Sequence, residues 1–176
     1  MLLRKINAVI SLLTTILLLD HAIFSSVWML SKGSVEQSAP IAPWILAGFL
    51  GIHAFISICF VVSDREEGET RKVKSYLRLN RVTVFQRVSG ILLIVFTALH
   101  IAGASGAMQL PHAVHTVLSP IFFSVALAHT AISTEKAFIT LGIGNAKVIK
   151  AISIVVKLIC AATLIAAIAG FYLYVG

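Results

Sequence analysis

Long apolar runs separated by short polar segments dominate the chain. Five such runs cover residues of about 6–30, 43–63, 86–105, 113–134 and 149–175. Each has about 20 residues or a little more, the length that an α-helix needs to cross a hydrocarbon core of about 30 Å. The pattern predicts an all-α, five-helix transmembrane bundle that forms a single domain over residues 1–176.

The composition and the N-terminus agree with a membrane protein. Hydrophobic residues make up 59% of the chain and charged residues 12%, whereas about 25% of the residues in a soluble domain are charged. The first run follows Arg4 and Lys5 and contains no small-x-small cleavage site, so we interpret it as a retained helix rather than a signal peptide. Cys59 and Cys160 lie singly in apolar runs, which favours packing roles.

Positive charge is concentrated in the segments that would share one side of the membrane. If the N-terminus is inside, the inner segments carry twelve Lys and Arg, the outer segments carry only Lys32, and Lys157 falls within the fifth run. This bias predicts a cytoplasmic N-terminus and an external C-terminus in a multi-pass protein of the cell (inner, cytoplasmic) membrane. It also accounts for the net charge of +7 without a nucleic-acid partner.

Four histidines lie within the apolar runs, each in a different one: His21, His53, His100 and His129. An ionisable side chain in hydrocarbon is costly, so these residues are functional candidates by default. Counted from the outer ends of the runs, His100 and His21 lie at depths of about 7 and 12 Å, and His53 and His129 at about 15 and 24 Å. The depths predict an outer pair, His21 with His100, and an inner pair, His53 with His129, with mean levels on the order of 10 Å apart.

Two b-type haems, each held by two histidines, suit this pattern best. Neutral imidazole is a good iron ligand, and two such ligands leave no open coordination position, so the site transfers electrons. The chain has no Cys-x-x-Cys-His motif for covalent haem attachment. Two alternatives remain from the residues alone: a haem-free anchor or carrier with polar helix contacts, and ion or proton transport through a histidine relay.

The segment from Tyr76 to His100, YLRLNRVTVFQRVSGILLIVFTALH, carries a family resemblance. It resembles the third helix of the di-haem cytochrome b membrane anchor of succinate:menaquinone oxidoreductases and fumarate reductases, in the five-helix type. The shared pattern is an aromatic and basic lead-in, then Gln86-Arg87-x-Ser89-Gly90, then a ligand histidine ten residues after the glycine. The histidines of helices one, two and four extend the resemblance over the chain, and helix five has none.

The resemblance implies an electron-transfer and quinone-binding subunit of a succinate dehydrogenase or fumarate reductase in a respiratory chain. In that family helices one and three hold the outer haem, and helices two and four the inner haem. The partners would be menaquinone or another quinone in the membrane, and an iron–sulfur subunit and a flavoprotein on the cytoplasmic side. A cytochrome b of another dehydrogenase, of the hydrogenase or formate dehydrogenase type, is the alternative. Residues 125–128 lack the helix-four glutamate of some relatives, and Lys157 has no family counterpart.

Further polar residues are candidates for cofactor or quinone contacts. Arg87 and Ser89 lie at the inner end of the third run, where the resemblance puts the propionates of the inner haem, and arginine suits carboxylate binding. Asp20, the only acid within a predicted span, is a candidate to hydrogen-bond a ligand histidine or to carry a proton to quinone near the outer haem. Weaker quinone candidates in the outer loops are Glu36, Gln109, His112 and His115, and Trp28 and Trp44 lie where an interfacial aromatic belt is expected.

Overall fold

The computed structural model describes residues 2–34, 42–70, 81–109 and 111–175. Within these ranges the chain forms five α-helices and no strand: α1 (Leu2–Leu30), α2 (Ala42–Thr70), α3 (Arg81–Ala104), α4 (His112–Leu141) and α5 (Ala146–Val175). Each helix contains a stretch that is long and apolar enough to cross a membrane. The five-helix transmembrane fold predicted from the apolar runs is therefore confirmed.

The helices differ from the predicted spans mainly at one end of the bundle. All five extend by several residues beyond the apolar runs at the end that contains Leu2, which we call the inner end. The reason is that a helix satisfies its own backbone hydrogen bonds and so continues into water past the hydrocarbon boundary. At the outer end the ring centroids of Trp28 and Tyr174 lie 4.8 Å apart and join α1 to α5.

Helices α1 and α4 form the centre of the bundle. Helix α1 packs against α2, α4 and α5, and α4 packs against α1, α3 and α5. Over the described ranges, α2 and α3 make no extensive contact with each other. Helix α2 therefore packs on α1, and α3 packs on α4.

Small and hydroxyl-bearing residues line the contacts of α5. A Cβ atom at Gly170 would lie 3.1 Å from Met29 Cβ and from the Ser26 carbonyl oxygen, so glycine allows α5 to approach α1 closely. Ser26 is buried, and its hydroxyl donates to the carbonyl of Ala22 at 2.6 Å. Because that hydroxyl is satisfied within its own helix, it can be buried at the interface without an unpaired group.

An ion pair joins α4 to α5 near the inner end. Glu135 Oε2 accepts a hydrogen bond from Ser153 Oγ at 2.9 Å and lies 3.6 Å from Lys157 Nζ. Glu135 lies in the part of α4 that extends past the fourth apolar run, which ends near residue 134. The ion pair with Lys157 was therefore not expected from the apolar runs.

Candidate functional site

His129 is fixed by a hydrogen bond from a different helix. Ser89 Oγ lies 2.7 Å from His129 Nδ1, and it also lies 2.6 Å from the carbonyl oxygen of Phe85. The hydroxyl has one proton, which the carbonyl can only accept, so Nδ1–H of His129 donates to Ser89. That tautomer leaves Nε2 of His129 unprotonated, which is the form in which imidazole binds a metal ion.

His53 is fixed in the same way by an amide. Asn7 Oδ1 lies 3.1 Å from His53 Nδ1, and Asn7 Nδ2 donates to Ser57 Oγ at 3.4 Å. An amide oxygen can only accept, so the proton is on Nδ1 of His53 and Nε2 is again unprotonated. Metal-bound histidines are commonly oriented by such a hydrogen bond on the second ring nitrogen.

His53 on α2 and His129 on α4 both lie toward the inner end, because they bond to Asn7 near the start of α1 and to Ser89 near the start of α3. A Cβ atom at Gly90 would lie 3.6 Å from Cε1 of His129, so the glycine leaves the ring room on its α3 side. The inner level thus has two imidazoles whose Nδ1 atoms are already hydrogen-bonded, beside a residue without a side chain.

The two outer histidines face each other from α1 and α3. The ring centroids of His21 and His100 lie 6.4 Å apart, with 73° between the ring planes. A metal–imidazole bond is about 2.0 Å long, and a five-membered ring with bonds of about 1.33 Å has a radius of about 1.1 Å. Two imidazoles that bind one metal ion from opposite sides therefore have centroids about 6.3 Å apart. The observed spacing fits bis-histidine ligation of a single iron.

The two levels lie far apart along the bundle. Asn7 and His21 belong to the same helix and are fourteen residues apart, about 21 Å at the rise of an α-helix. Ser89 and His100 are eleven residues apart, about 16 Å. These are rises along one helix from a hydrogen-bond partner of an inner histidine to an outer histidine. They show that His53, which contacts Asn7 near the inner end of α1, lies deeper than its position after Pro43 indicates.

The Gln-Arg-x-Ser-Gly motif surrounds His129 rather than His100. Gln86 Nε2 donates to Ser133 Oγ at 3.3 Å, and Lys136 Nζ donates to Gln86 Oε1 at 3.2 Å. Together with the Ser89 bond, these contacts hold α3 against α4 at the His129 level and on its inner side. Arg87 lies half-buried at the same end of α3.

An apolar cleft of about 430 Å³ opens beside His100 at the outer end. Phe122 lies against the histidine, with ring centroids 5.3 Å apart, and the ring of His115 lies 5.4 Å from that of Phe171 on α5. Polar groups are few. The cleft is lined by Phe96, Leu99, His100, Met108, Gln109, His115, Leu118, Ser119 and Phe122, with smaller residues between them.

The remaining candidates are dispersed around this outer region. Asp20 is exposed on α1 and near enough to His21 for an electrostatic interaction, but it does not line the cleft. Gln109 and His115 line the cleft, and His112 is exposed at the start of α4. Glu36 lies outside the described residues.

No protein-family model matches this chain, and no curated protein and no solved structure matches it. Within the described ranges, no three His, Cys, Asp or Glu side chains converge on one point as a metal-ligand cluster. The histidines stand as two pairs instead. Haem ligation by these pairs stays a prediction.

Sequence reasoning missed two residues of this arrangement. Asn7 was not considered, although a polar amide just inside an apolar run, fourteen residues before a histidine on the same helix face, is a usable signal. Phe122 was also not considered, and seven residues before His129 it shares that histidine's face of α4. Ser89 was selected as a cofactor contact, and in the structure it contacts His129.

Proposed function

We propose that this protein is a di-haem cytochrome b membrane anchor of the succinate dehydrogenase and fumarate reductase type. It relays electrons between quinone in the membrane, with menaquinone as the quinone that the resemblance favours, and an iron–sulfur subunit and flavoprotein at the inner end. The observation that carries the proposal is the arrangement of four intramembrane histidines as two pairs. The Nδ1–H groups of the inner pair are held by Asn7 and Ser89, and the outer rings are spaced for one metal ion.

The residues have the properties that haem iron requires of its ligands. His53 and His129 would hold the inner haem, and His21 and His100 the outer haem. Haem supplies one-electron transfer, with a potential set by ligation and burial. The contribution of the chain is to place the four imidazoles and to orient the inner two through Asn7 and Ser89, with Gly90 leaving clearance at the inner level and Phe122 packed beside the outer one. Arg87 is the candidate to pair with a propionate at the inner end.

Two places near His21 and His100 suit a quinone that arrives through the lipid. One is the apolar cleft with His115 and Gln109 at its polar end. The other is the exposed carboxyl group of Asp20, which lies among lipid-facing side chains such as Ile16 and Phe24. Kinetics of Asp20→Asn and His115→Ala variants distinguish them, because only the variant at the quinone site raises the KM for quinone.

Haem quantification on purified protein tests the proposal. We expect a haem-to-protein ratio near two and a reduced-minus-oxidised difference spectrum of b type. His21→Ala and His100→Ala should remove one spectral species, and His53→Ala and His129→Ala the other. Protein without a b-type spectrum refutes the haem assignment, and a ratio near one refutes the two-haem assignment.

The identity of the partner separates the two dehydrogenase classes. Copurification with a flavoprotein that oxidises succinate or reduces fumarate supports the proposed role. Copurification with a hydrogenase or a formate dehydrogenase instead assigns the same cytochrome to that enzyme.

A further inference from the structure

The inner ends of α4 and α5 form a helical hairpin that extends past the membrane. The outer boundary is marked by the stacked rings of Trp28 and Tyr174, which suit an interfacial aromatic belt. A hydrocarbon core of about 30 Å corresponds to about 20 helical residues. Counted inward from Tyr174, the core ends near residue 154, and the hairpin turn at Ala146 lies about 12 Å beyond it.

That distance places the turn between α4 and α5, which we call the tip of the hairpin, in water. The headgroup layer adds only about 5–8 Å on each side of the hydrocarbon core. The same count from Trp28 ends near residue 8 of α1, three residues after Lys5. Both helices therefore place the inner boundary of the hydrocarbon core next to basic residues. Lys157 then lies just inside the boundary and pairs with Glu135 just outside it.

The tip combines exposed apolar side chains with positive charge. Ile139, Ile143 and Val148 are 61%, 51% and 47% exposed, respectively. Lys147 and Lys150 are also exposed, and residues 136–150 include no acid. Lipid accounts for the exposed apolar residues of the spans, but not for Ile143 and Val148, which lie beyond the headgroup layer on the same count.

The turn is built as a rigid element. Gly142 ends α4 in the left-handed region, with φ 70°, and its N–H donates to the Ile139 carbonyl at 3.1 Å. Asn145 begins α5, and its Oδ1 accepts from the Val148 N–H at 3.0 Å. The tip therefore presents its side chains from an ordered backbone, which lowers the entropy cost of binding.

The base of the hairpin is connected to the inner histidine level. Lys136 bonds to Gln86, which lies one turn before Ser89 on α3, and Ser89 holds His129. Ile139 follows His129 by ten residues, about 15 Å along α4. A protein bound at the tip is therefore held at the end of the bundle where the inner pair lies.

We propose that the tip of the α4–α5 hairpin, formed by Ile139, Ile143, Lys147, Val148 and Lys150, is the docking surface for an acidic peripheral protein. Its lysines attract the partner and orient it, and its isoleucines and valine supply the buried apolar contact. The inference rests on the proposed function, because it identifies where on this chain the inner-side redox partner binds.

Site-specific photo-crosslinking in native membranes tests the docking surface. A photoreactive amino acid in place of Ile143 should crosslink to an acidic peripheral subunit, identified by mass spectrometry as an iron–sulfur or flavin protein. The same substitution at Leu30, exposed at the outer end of α1, should not crosslink to it. Adducts to lipid alone, as expected if Lys147 and Lys150 bind anionic headgroups, overturn the proposal.

Charge reversal gives a second, independent measurement. Lys147→Glu with Lys150→Glu should lower the amount of peripheral subunit retained in the purified complex about tenfold at physiological salt, and Lys32→Glu at the other end should not. Haem reduction by dithionite should stay intact while reduction by the partner's substrate is lost. If the Lys147→Glu, Lys150→Glu variant retains as much peripheral subunit as the Lys32→Glu variant, the proposed docking surface is refuted. Crosslinking that persists in protein without haem supports docking and refutes the cytochrome function separately.

Discussion

Ser89 Oγ and His129 Nδ1 lie 2.7 Å apart although the two residues are forty positions apart in the chain. The bond crosses from α3 to α4 at the inner level. Because the serine hydroxyl donates to the Phe85 carbonyl, it accepts from the histidine and selects the Nδ1–H tautomer. One hydroxyl thus determines both the orientation of the ring and the nitrogen that is available to a metal ion.

Replacement of Ser89 by alanine should weaken the inner haem site selectively. Loss of a hydrogen bond that orients a metal-bound histidine typically costs about 10–100-fold in affinity. Haem-to-protein ratios and redox titration should show a loss or shift of the species assigned to His53 and His129. Ser124→Ala is the matched control, because Ser124 donates to the Pro120 carbonyl of its own helix. An equal effect of the two variants would contradict the orienting role.

Replacement of Asn7 by leucine should affect the same spectral species as the Ser89 variant. The substitution keeps a side chain of similar size but removes the acceptor for His53 Nδ1–H. Ser57→Ala serves as the control with a small expected effect, since it removes only the 3.4 Å partner of the Asn7 amide nitrogen. A shift in the outer species instead would show that Asn7 does not act through His53.

The size of the side chain at position 90 should determine whether the inner haem is retained. The Cβ of alanine would lie 3.6 Å from His129 Cε1, an ordinary contact, so Gly90→Ala should retain both haems. Gly90→Val adds two methyl groups next to the ring and should displace it, with loss of the inner species. The matched substitution Gly51→Val should leave both species intact, because a Cβ at Gly51 would have no atom within 4 Å. Full haem content in Gly90→Val refutes this packing argument.

Gly170→Ala should destabilise the bundle without acting on the histidines directly. Its Cβ would meet Met29 Cβ and a backbone oxygen of α1 at 3.1 Å, and overpacking of this kind costs about 1–3 kcal/mol. Thermal unfolding in detergent measures the change. Gly48→Ala meets nothing within 4 Å and should instead be neutral or stabilise by up to about 1 kcal/mol, through helix propensity. Equal unfolding temperatures would mean that α1 and α5 do not approach as closely as described.

Local patterns were sufficient for the fold class. Apolar length and the cost of polar groups in hydrocarbon specify five helices. The same patterns were insufficient for the inner helix ends and for the partner of Lys157. Hydropathy reports where hydrocarbon ends, and a helix can continue past that point, as α4 does when it carries Glu135 to Lys157 and Ser153.

The amino-acid sequence by itself determined how many helices cross the membrane and which four of them carry a histidine. Both follow from the order of apolar and polar side chains along the chain. Only the tertiary structure decided that Asn7 holds His53, that Ser89 holds His129, and that Asn7 and Ser89 lie about three to four helical turns inward of His21 and His100. Those relationships depend on how far each helix is shifted along its neighbours. Close packing of side chains sets that shift, and no single helix encodes it.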